Sequence, residues 1–151
     1  MRVMALDLGS KRIGVAVSDR SGTIASPLTV LDRTGSVAAD HRRIAALAIE
    51  EEVELIVVGL PLSMDGSMGT AARGAAAETA ALASVVGVPV ETIDERLTTV
   101  SAHNILADRM RAKQRRHVVD KVAAAVMLQS WLDGRGNQPG TDRQPDTGAQ
   151  P

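Results

Sequence analysis

Acidic residues occupy three places in this sequence where a carboxylate needs an explanation. Asp7 lies within the apolar run Val3–Leu8. Asp94 and Glu95 directly follow a later strand-like segment, and Asp120 heads an apolar helical stripe. A buried, ionised carboxylate without a partner costs several kcal/mol. Clustered carboxylates also repel one another, and oxygen ligands without Cys favour Mg²⁺ or Mn²⁺. If the fold brings these acids together, they predict a site for a divalent cation.

Each acid also has an ordinary structural interpretation. Asp7, at a strand end, can be a turn residue. Asp94 and Glu95 can be surface acids or favourable charges at the start of a following helix. Asp120 can pair with Arg116, four residues earlier on the same helix face. The cation site is favoured because an α/β fold would bring two strand ends and one helix face to the same place.

The segment "RMRAKQRRH", residues 109–117, concentrates positive charge near Asp120. Most charged runs are solvated helix surfaces, but these cations fall partly at the start of a predicted helix, where they oppose its dipole. We therefore predict that the segment contacts phosphate groups, and His117 is a further possible contact. The candidate nucleic-acid-binding residues are Lys11, Arg12, Arg96, Lys113, Arg115 and Arg116.

Composition narrows the class of protein. The 151 residues include no Cys and one Trp but no Tyr or Phe, and the net charge is −1. Disulfides are therefore excluded, and stacking of bases on aromatic side chains is disfavoured. No apolar run reaches the roughly 18 residues of a membrane span, and the N-terminus lacks a signal-peptide pattern, so we expect a cytoplasmic protein. His41 and His103 have no ligand-like spacing and are expected on the surface.

The elements that must position the acids alternate between strands and helices. Apolar periodicity and turn residues predict the order β-β-β-α-β-α-β-α-α, with an antiparallel meander first. The predicted strands span residues 2–8, 13–19, 24–31, 54–60 and 88–93. The predicted helices span residues 36–53, 70–87, 98–110 and 113–133.

This order predicts an α/β fold, a mixed five-stranded sheet with helices on its faces. Ligand sites in such folds lie beyond the carboxyl ends of the parallel strands. One domain is expected over residues 1–133. Residues 134–151 are rich in Gly, Pro and polar residues and are predicted to form a disordered tail.

The loop "PLSMDGSMG", residues 61–69, lies between a predicted strand and a predicted helix. It lacks the G-x-x-x-x-G-K-[ST] pattern of nucleoside-triphosphate-binding loops. Its backbone N–H groups and the start of the following helix are expected to hold a phosphate of the substrate backbone.

Four segments together resemble one known family. "LDLGSKRIGVAVSD", "IVVGLPLSMDGSMG", "DERLTTVSA" and "VDKVAAAVMLQSWLD" occur in the order and spacing typical of the YqgF/RuvX family of candidate pre-16S rRNA nucleases. The resemblance covers residues 2–133. It implies an RNase H-like fold related to Holliday-junction resolvases, and metal-dependent phosphodiester hydrolysis during ribosome biogenesis.

The resemblance also implies which acids act. They are Asp7, Glu95 and Asp120, with Asp94 as the alternative to Glu95. We predict two Mg²⁺ or Mn²⁺ ions between them, about 4 Å apart, which activate water and stabilise the leaving oxygen.

Several alternatives stay open on sequence grounds. The substrate is RNA, either free or within the pre-ribosome, or a four-way DNA junction, and the chain is a monomer or a homodimer. A third hypothesis is that the chain is a non-catalytic RNA- or protein-binding factor. "DLGSKRIGVAV" also looks like the first phosphate loop of actin-like and sugar-kinase folds, but those proteins use two such domains and this length suits one.

Overall fold

A computed structural model of the chain describes residues 1–63, 65–95 and 112–136, and for residues 112–121 it describes the backbone path. The helix predicted over residues 98–110 and residues 137–151 of the predicted tail lie outside the described residues, as do Arg96 and His103.

Five strands form one mixed sheet in the order β3-β2-β1-β4-β5. The strands are β1 Val3–Leu8, β2 Arg12–Ser18, β3 Ala25–Asp32, β4 Leu55–Leu60 and β5 Val90–Asp94. The first three pair antiparallel, whereas β4 is parallel to β1 and β5 is parallel to β4. The predicted meander and the mixed five-stranded sheet are confirmed. The carboxyl ends of β1, β4 and β5 therefore lie along one edge.

Three helices are described: α1 Val37–Glu50, α2 Thr70–Ala83 and α3 Ala112–Gly136. Helix α2 ends at Ala83 rather than at the predicted Gly87, because the N–H and the hydroxyl of Ser84 both bond to the Ala81 carbonyl. Helix α3 continues three residues beyond Asp133, so residues 134–136 are helical. None of the helices in the described residues is long and apolar enough to cross a membrane.

Alternating side chains of the central strands feed two cores, one on each face of the sheet. Met4 and Leu6 of β1 pack with apolar residues of α1 and α2. Val3 and Ala5 pack on the other face with α3, which buries Leu128 against the sheet. Because strand side chains alternate, Asp7 continues the series that faces α3.

The expectation for His41 is wrong, because this histidine is only 2% exposed. It lies in α1, and its Nε2 is 2.9 Å from Oε2 of Glu78 in α2. A polar partner on a neighbouring helix offsets the cost of burying the ring. No local sequence pattern marks such a contact, since the two residues are 37 positions apart.

Candidate active site

Asp7 is the penultimate residue of β1, a central strand of the sheet, and it is half-buried. It pairs with Gly14 of β2 in the antiparallel register. The short link that follows is tightly closed: the Gly9 N–H donates to the carbonyl of Arg12 at 2.9 Å. A Cβ at Gly9 would lie 2.6 Å from that same oxygen, so the turn accepts only glycine without rearranging.

Glu95 follows the last residue of β5, Asp94, and its carboxyl is hydrogen-bonded to that of Asp7. Burial, the charge of Asp7, the hydrogen bond to Asp7 and the charge of Asp94 together raise the pKa of Glu95 to about 7, with burial the largest cause. Two carboxyls can share a hydrogen bond only if one of them holds a proton. The structure therefore brings Asp7, Asp94 and Glu95 together at one edge of the sheet.

Gly59 makes this meeting possible. Strand β4 lies between β1 and β5, and Gly59 pairs with Ile93 of β5. A Cβ at Gly59 would lie 2.8 Å from Cγ and 2.9 Å from Oε1 of Glu95, and it would also collide with Sδ of Met127 in α3. The Glu95 side chain therefore passes over Gly59 to reach Asp7. A side chain at position 59 would fill the space through which it passes. The sequence reasoning missed Gly59, although a glycine inside a strand does signal a close approach.

Helix α3 covers this crossing point. Met127 is 3% exposed and packs on the same face of the sheet as Ile93. Asp120 lies in α3, seven residues before Met127, which is about 10 Å along the helix axis. The side chain of Asp120 lies outside the described residues, so its place beside Asp7 and Glu95 stays a prediction.

The carboxylate oxygens of Asp7 and Glu95 are chemically suited to bind a divalent cation. No group of three His, Cys, Asp or Glu side chains poised around a metal ion is found among the residues whose side chains are described. However, Asp7 and Glu95 present all-oxygen donors, which Mg²⁺ and Mn²⁺ prefer. A cation held by Asp7 and Glu95 would relieve the mutual repulsion of the two carboxylates.

Among the predicted phosphate contacts, Lys11 and Arg12 are exposed and lie in or beside the link that follows Asp7. Lys113, Arg115 and Arg116 lie in the first turns of α3, where only the backbone is described. Arg96 and the rest of residues 96–111 lie outside the described residues.

The loop of residues 61–69 leaves the carboxyl end of β4, the strand beside Asp7. It is closed by hydrogen bonds between Ser63 and Ser67 and between Gly66 and Ser63, at 3.0 and 2.8 Å. Helix α2 begins after it, with Gly69 at the N-cap and no side-chain cap hydrogen bond. Its predicted contact with a substrate phosphate stays a prediction.

Comparison with known proteins agrees with this architecture. A family model described as "RuvX: Holliday junction resolvase" matches residues 1–134. A Myxococcus xanthus protein, named as a candidate pre-16S rRNA nuclease, is 50% identical over 148 residues, which cover 97% of this chain and 96% of the relative. A Mycobacterium leprae protein of the same name is 45% identical over 151 residues, covering 98% and 82% of the two chains.

Solved structures share the fold. The Thermus thermophilus RuvC structure has a TM-score of 0.53 at 16% identity, and the match covers 89% of this chain and 96% of that one. The same protein in complex with a Holliday junction substrate has a TM-score of 0.56 at 17% identity and the same coverage. The predicted RNase H-like architecture is confirmed. With a family model that matches residues 1–134 and relatives at 45–50% identity that cover 97–98% of it, this chain belongs to the RuvX family.

Proposed function

We propose that this chain is a metal-dependent nuclease that hydrolyses phosphodiester bonds near the 5′ end of pre-16S rRNA. The names of the close relatives and the family match support a nuclease. The observation that carries the proposal is the Asp7–Glu95 contact across Gly59. Two carboxyls forced together at the carboxyl ends of the sheet strands are costly unless a ligand uses them. A ribosomal RNA substrate would place the enzyme in the cytoplasm and in contact with pre-ribosomes.

Asp7, Glu95 and Asp120 would hold two Mg²⁺ or Mn²⁺ ions. When bound, such ions activate water and stabilise the leaving oxygen of a phosphoryl displacement. Strand alternation supports Glu95 rather than Asp94, because Ile93 faces α3 and its neighbour Asp94 therefore points away from that face. The described contact to Asp7 is made by Glu95 as well.

The cationic residues around this edge would bind the phosphates that flank the cleaved bond. Lys11 and Arg12 would approach from the β1–β2 link, and Lys113, Arg115 and Arg116 from the start of α3, with Arg96 beside Glu95. Contacts of this kind fix position on the backbone without reading sequence. The lack of Tyr and Phe fits recognition of phosphates and shape rather than stacked bases.

Asp7→Asn tests the proposal directly. The variant keeps the size of the side chain and removes its charge, so we expect it to fold and to lose cleavage. The assay would use an RNA spanning the 5′ region of the 16S precursor and a four-way DNA junction, with Mg²⁺ or Mn²⁺ and with a chelator. Asp133→Asn, which changes an exposed carboxylate near the far end of α3, should cleave at the wild-type rate.

Two further variants test which of the neighbouring acids, Asp94 or Glu95, is needed for cleavage. Glu95→Gln should abolish cleavage, whereas Asp94→Asn should retain much of it; the reverse result would assign the metal to Asp94. Full activity of Asp7→Asn, or of the wild type in chelator, would contradict a metal-dependent site at Asp7.

A junction resolvase is the second candidate function, because the family model carries that description and RuvC shares the fold. Symmetric nicking of the four-way junction would favour it, together with a homodimer, since two strands then need two sites. Equal binding of RNA by wild type and Asp7→Asn, without cleavage by either, would favour a non-catalytic binding factor.

A further inference from the structure

A buried ion-pair network joins the end of β3 to helices α1 and α2. The Arg33 guanidinium donates from Nη1 and Nη2 to Oε2 and Oε1 of Glu78, at 2.7 and 3.0 Å. His41 meets the same Oε2 at 2.9 Å, and Asp40 lies 3.8 Å from Arg33. The side chains of Arg33 and Glu78 are each only 15% exposed.

The same arginine holds the link that follows Asp7. Its Nε donates to the carbonyl of Gly9 at 3.0 Å, and its backbone N–H donates to the carbonyl of Lys11 at 2.9 Å. Arg33 therefore binds the first and the last residue of the 9–11 link. That link joins the strand that carries Asp7 to Arg12, at the edge where the candidate site lies.

Stability alone is a weak reason for such a network. Desolvating an ion pair costs about as much as the attraction returns, so buried pairs are often replaceable by apolar residues. The arrangement here also depends on arginine geometry, because one planar fork serves both Glu78 oxygens while Nε reaches a third acceptor. A lysine would keep the charge but could not make all three bonds.

We propose that Arg33, fixed by Glu78, is a positioning residue for the active site. It anchors the 9–11 link and thereby sets the position of Asp7 and of Lys11 relative to Glu95. This inference rests on the proposed function, because it takes Asp7 as a metal ligand. Groups hydrogen-bonded directly to a metal ligand change metal affinity or activity by about 10- to 100-fold when they are altered. Arg33 acts through the 9–11 link, so we expect the low end of that range.

The test compares Arg33→Lys and Glu78→Gln with a matched control, Arg2→Lys. Arg2 makes a 2.7 Å ion pair with Glu51, and the two side chains are 20% and 22% exposed, which is close to the burial of the Arg33 pair. Arg2 precedes β1, at the opposite end of that strand from Asp7. The control therefore makes the same Arg-to-Lys change in an ion pair of similar burial, away from the site.

Three measurements would be made on each variant: Mn²⁺ affinity by calorimetry, amide hydrogen exchange at Gly9, and steady-state kinetics (kcat and KM) on the precursor RNA. For Arg33→Lys and Glu78→Gln we expect Mn²⁺ affinity and kcat to fall about 10-fold and exchange at Gly9 to quicken. For Arg2→Lys we expect all three to match the wild type, whatever stability it loses.

Wild-type Mn²⁺ affinity and Gly9 exchange in both Arg33→Lys and Glu78→Gln would overturn the inference. So would an equal loss of kcat in Arg2→Lys, because the effect would then reflect lost stability. The Asp7→Asn variant distinguishes a failure of the proposed function from a failure of the positioning role of Arg33. If it binds Mn²⁺ and cleaves like wild type, the proposed function fails; if it is inactive while both network variants behave as wild type, only the positioning role fails.

Discussion

Gly59 shows how a residue without a side chain can determine which acidic groups meet at the candidate site. Asp7 lies in β1 and Glu95 directly follows β5, and these two strands are not neighbours, since β4 lies between them. Their carboxyls meet because nothing projects from Gly59 between them. The same gap lets Met127 of α3 pack over Gly59.

Gly59→Ala should separate folding from activity. The added methyl group meets Glu95 and Met127, so we expect a loss of about 1–3 kcal/mol in the free energy of unfolding. Displacement of Glu95 should lower cleavage by about 100-fold, since small misplacements of catalytic groups have effects of that size. Denaturant unfolding and the RNA cleavage assay would measure the two effects.

Gly74→Ala is the matched control, because a Cβ at Gly74 in α2 meets nothing within 4 Å. It should raise stability by about 0.5–1 kcal/mol, as Gly-to-Ala changes do within helices. It should leave cleavage unchanged. Wild-type cleavage by a folded Gly59→Ala protein would contradict the role given to Gly59.

At the scale of elements, one carboxylate, that of Glu78 in α2, joins helices α1 and α2 to the end of β3. Burial acts to raise the pKa of Glu78, but hydrogen bonds from Arg33 and His41 and their charges bring it below the usual value. The folded chain therefore binds fewer protons at this group than the unfolded chain does. Its stabilising contribution is complete above the ordinary glutamate pKa of 4.5 and is lost as the pH falls through the lower folded value.

Acid unfolding should report this contribution. We expect the free energy of unfolding of wild type to fall as the pH drops below the ordinary glutamate pKa of 4.5, and to fall less steeply in Glu78→Gln. Denaturant titrations at several pH values would give both slopes. Identical slopes would mean that Glu78 is no better stabilised in its charged form than a glutamate in the unfolded chain.

The elements themselves were largely predictable from the sequence. Strand periodicity and short turns predicted the antiparallel meander and the two later strands, and the two acids were expected to meet because both lie at strand ends. The contact across Gly59 was not predictable, because it depends on which strand lies between the two acids. The network of Arg33, His41 and Glu78 was also missed, since pairing between distant elements leaves no periodic signal.

At the scale of the whole molecule, charge is unevenly distributed although the net charge is only −1. At the start of β1, arginines pair with acids of the segment that follows α1: Arg2 with Glu51 and Arg20 with Glu52. Lys11 lies at the other end of β1, beside the candidate site. A substrate phosphate backbone should therefore approach the site edge.

Salt dependence of RNA binding tests this orientation. Each phosphate contact adds about one unit to the slope of log affinity against log salt. Lys11→Ala should lower that slope by about 1, whereas Arg20→Ala at the opposite end should leave it unchanged. Fluorescence anisotropy in chelator, where no cleavage occurs, would measure both. A loss of slope in Arg20→Ala, with none in Lys11→Ala, would place the RNA on the other end of the molecule.

The packing of Met127 over Gly59 and Glu95 also has a consequence for the order of synthesis. Asp7 is translated near the beginning of the chain, Glu95 after more than half of it, and the helix that covers their contact near the end. A nascent chain that lacks α3 leaves the crossing point open to water. The ribosome therefore synthesises nearly the whole chain before α3 can cover the contact of the two carboxyls, so the candidate site is incomplete until translation is almost finished.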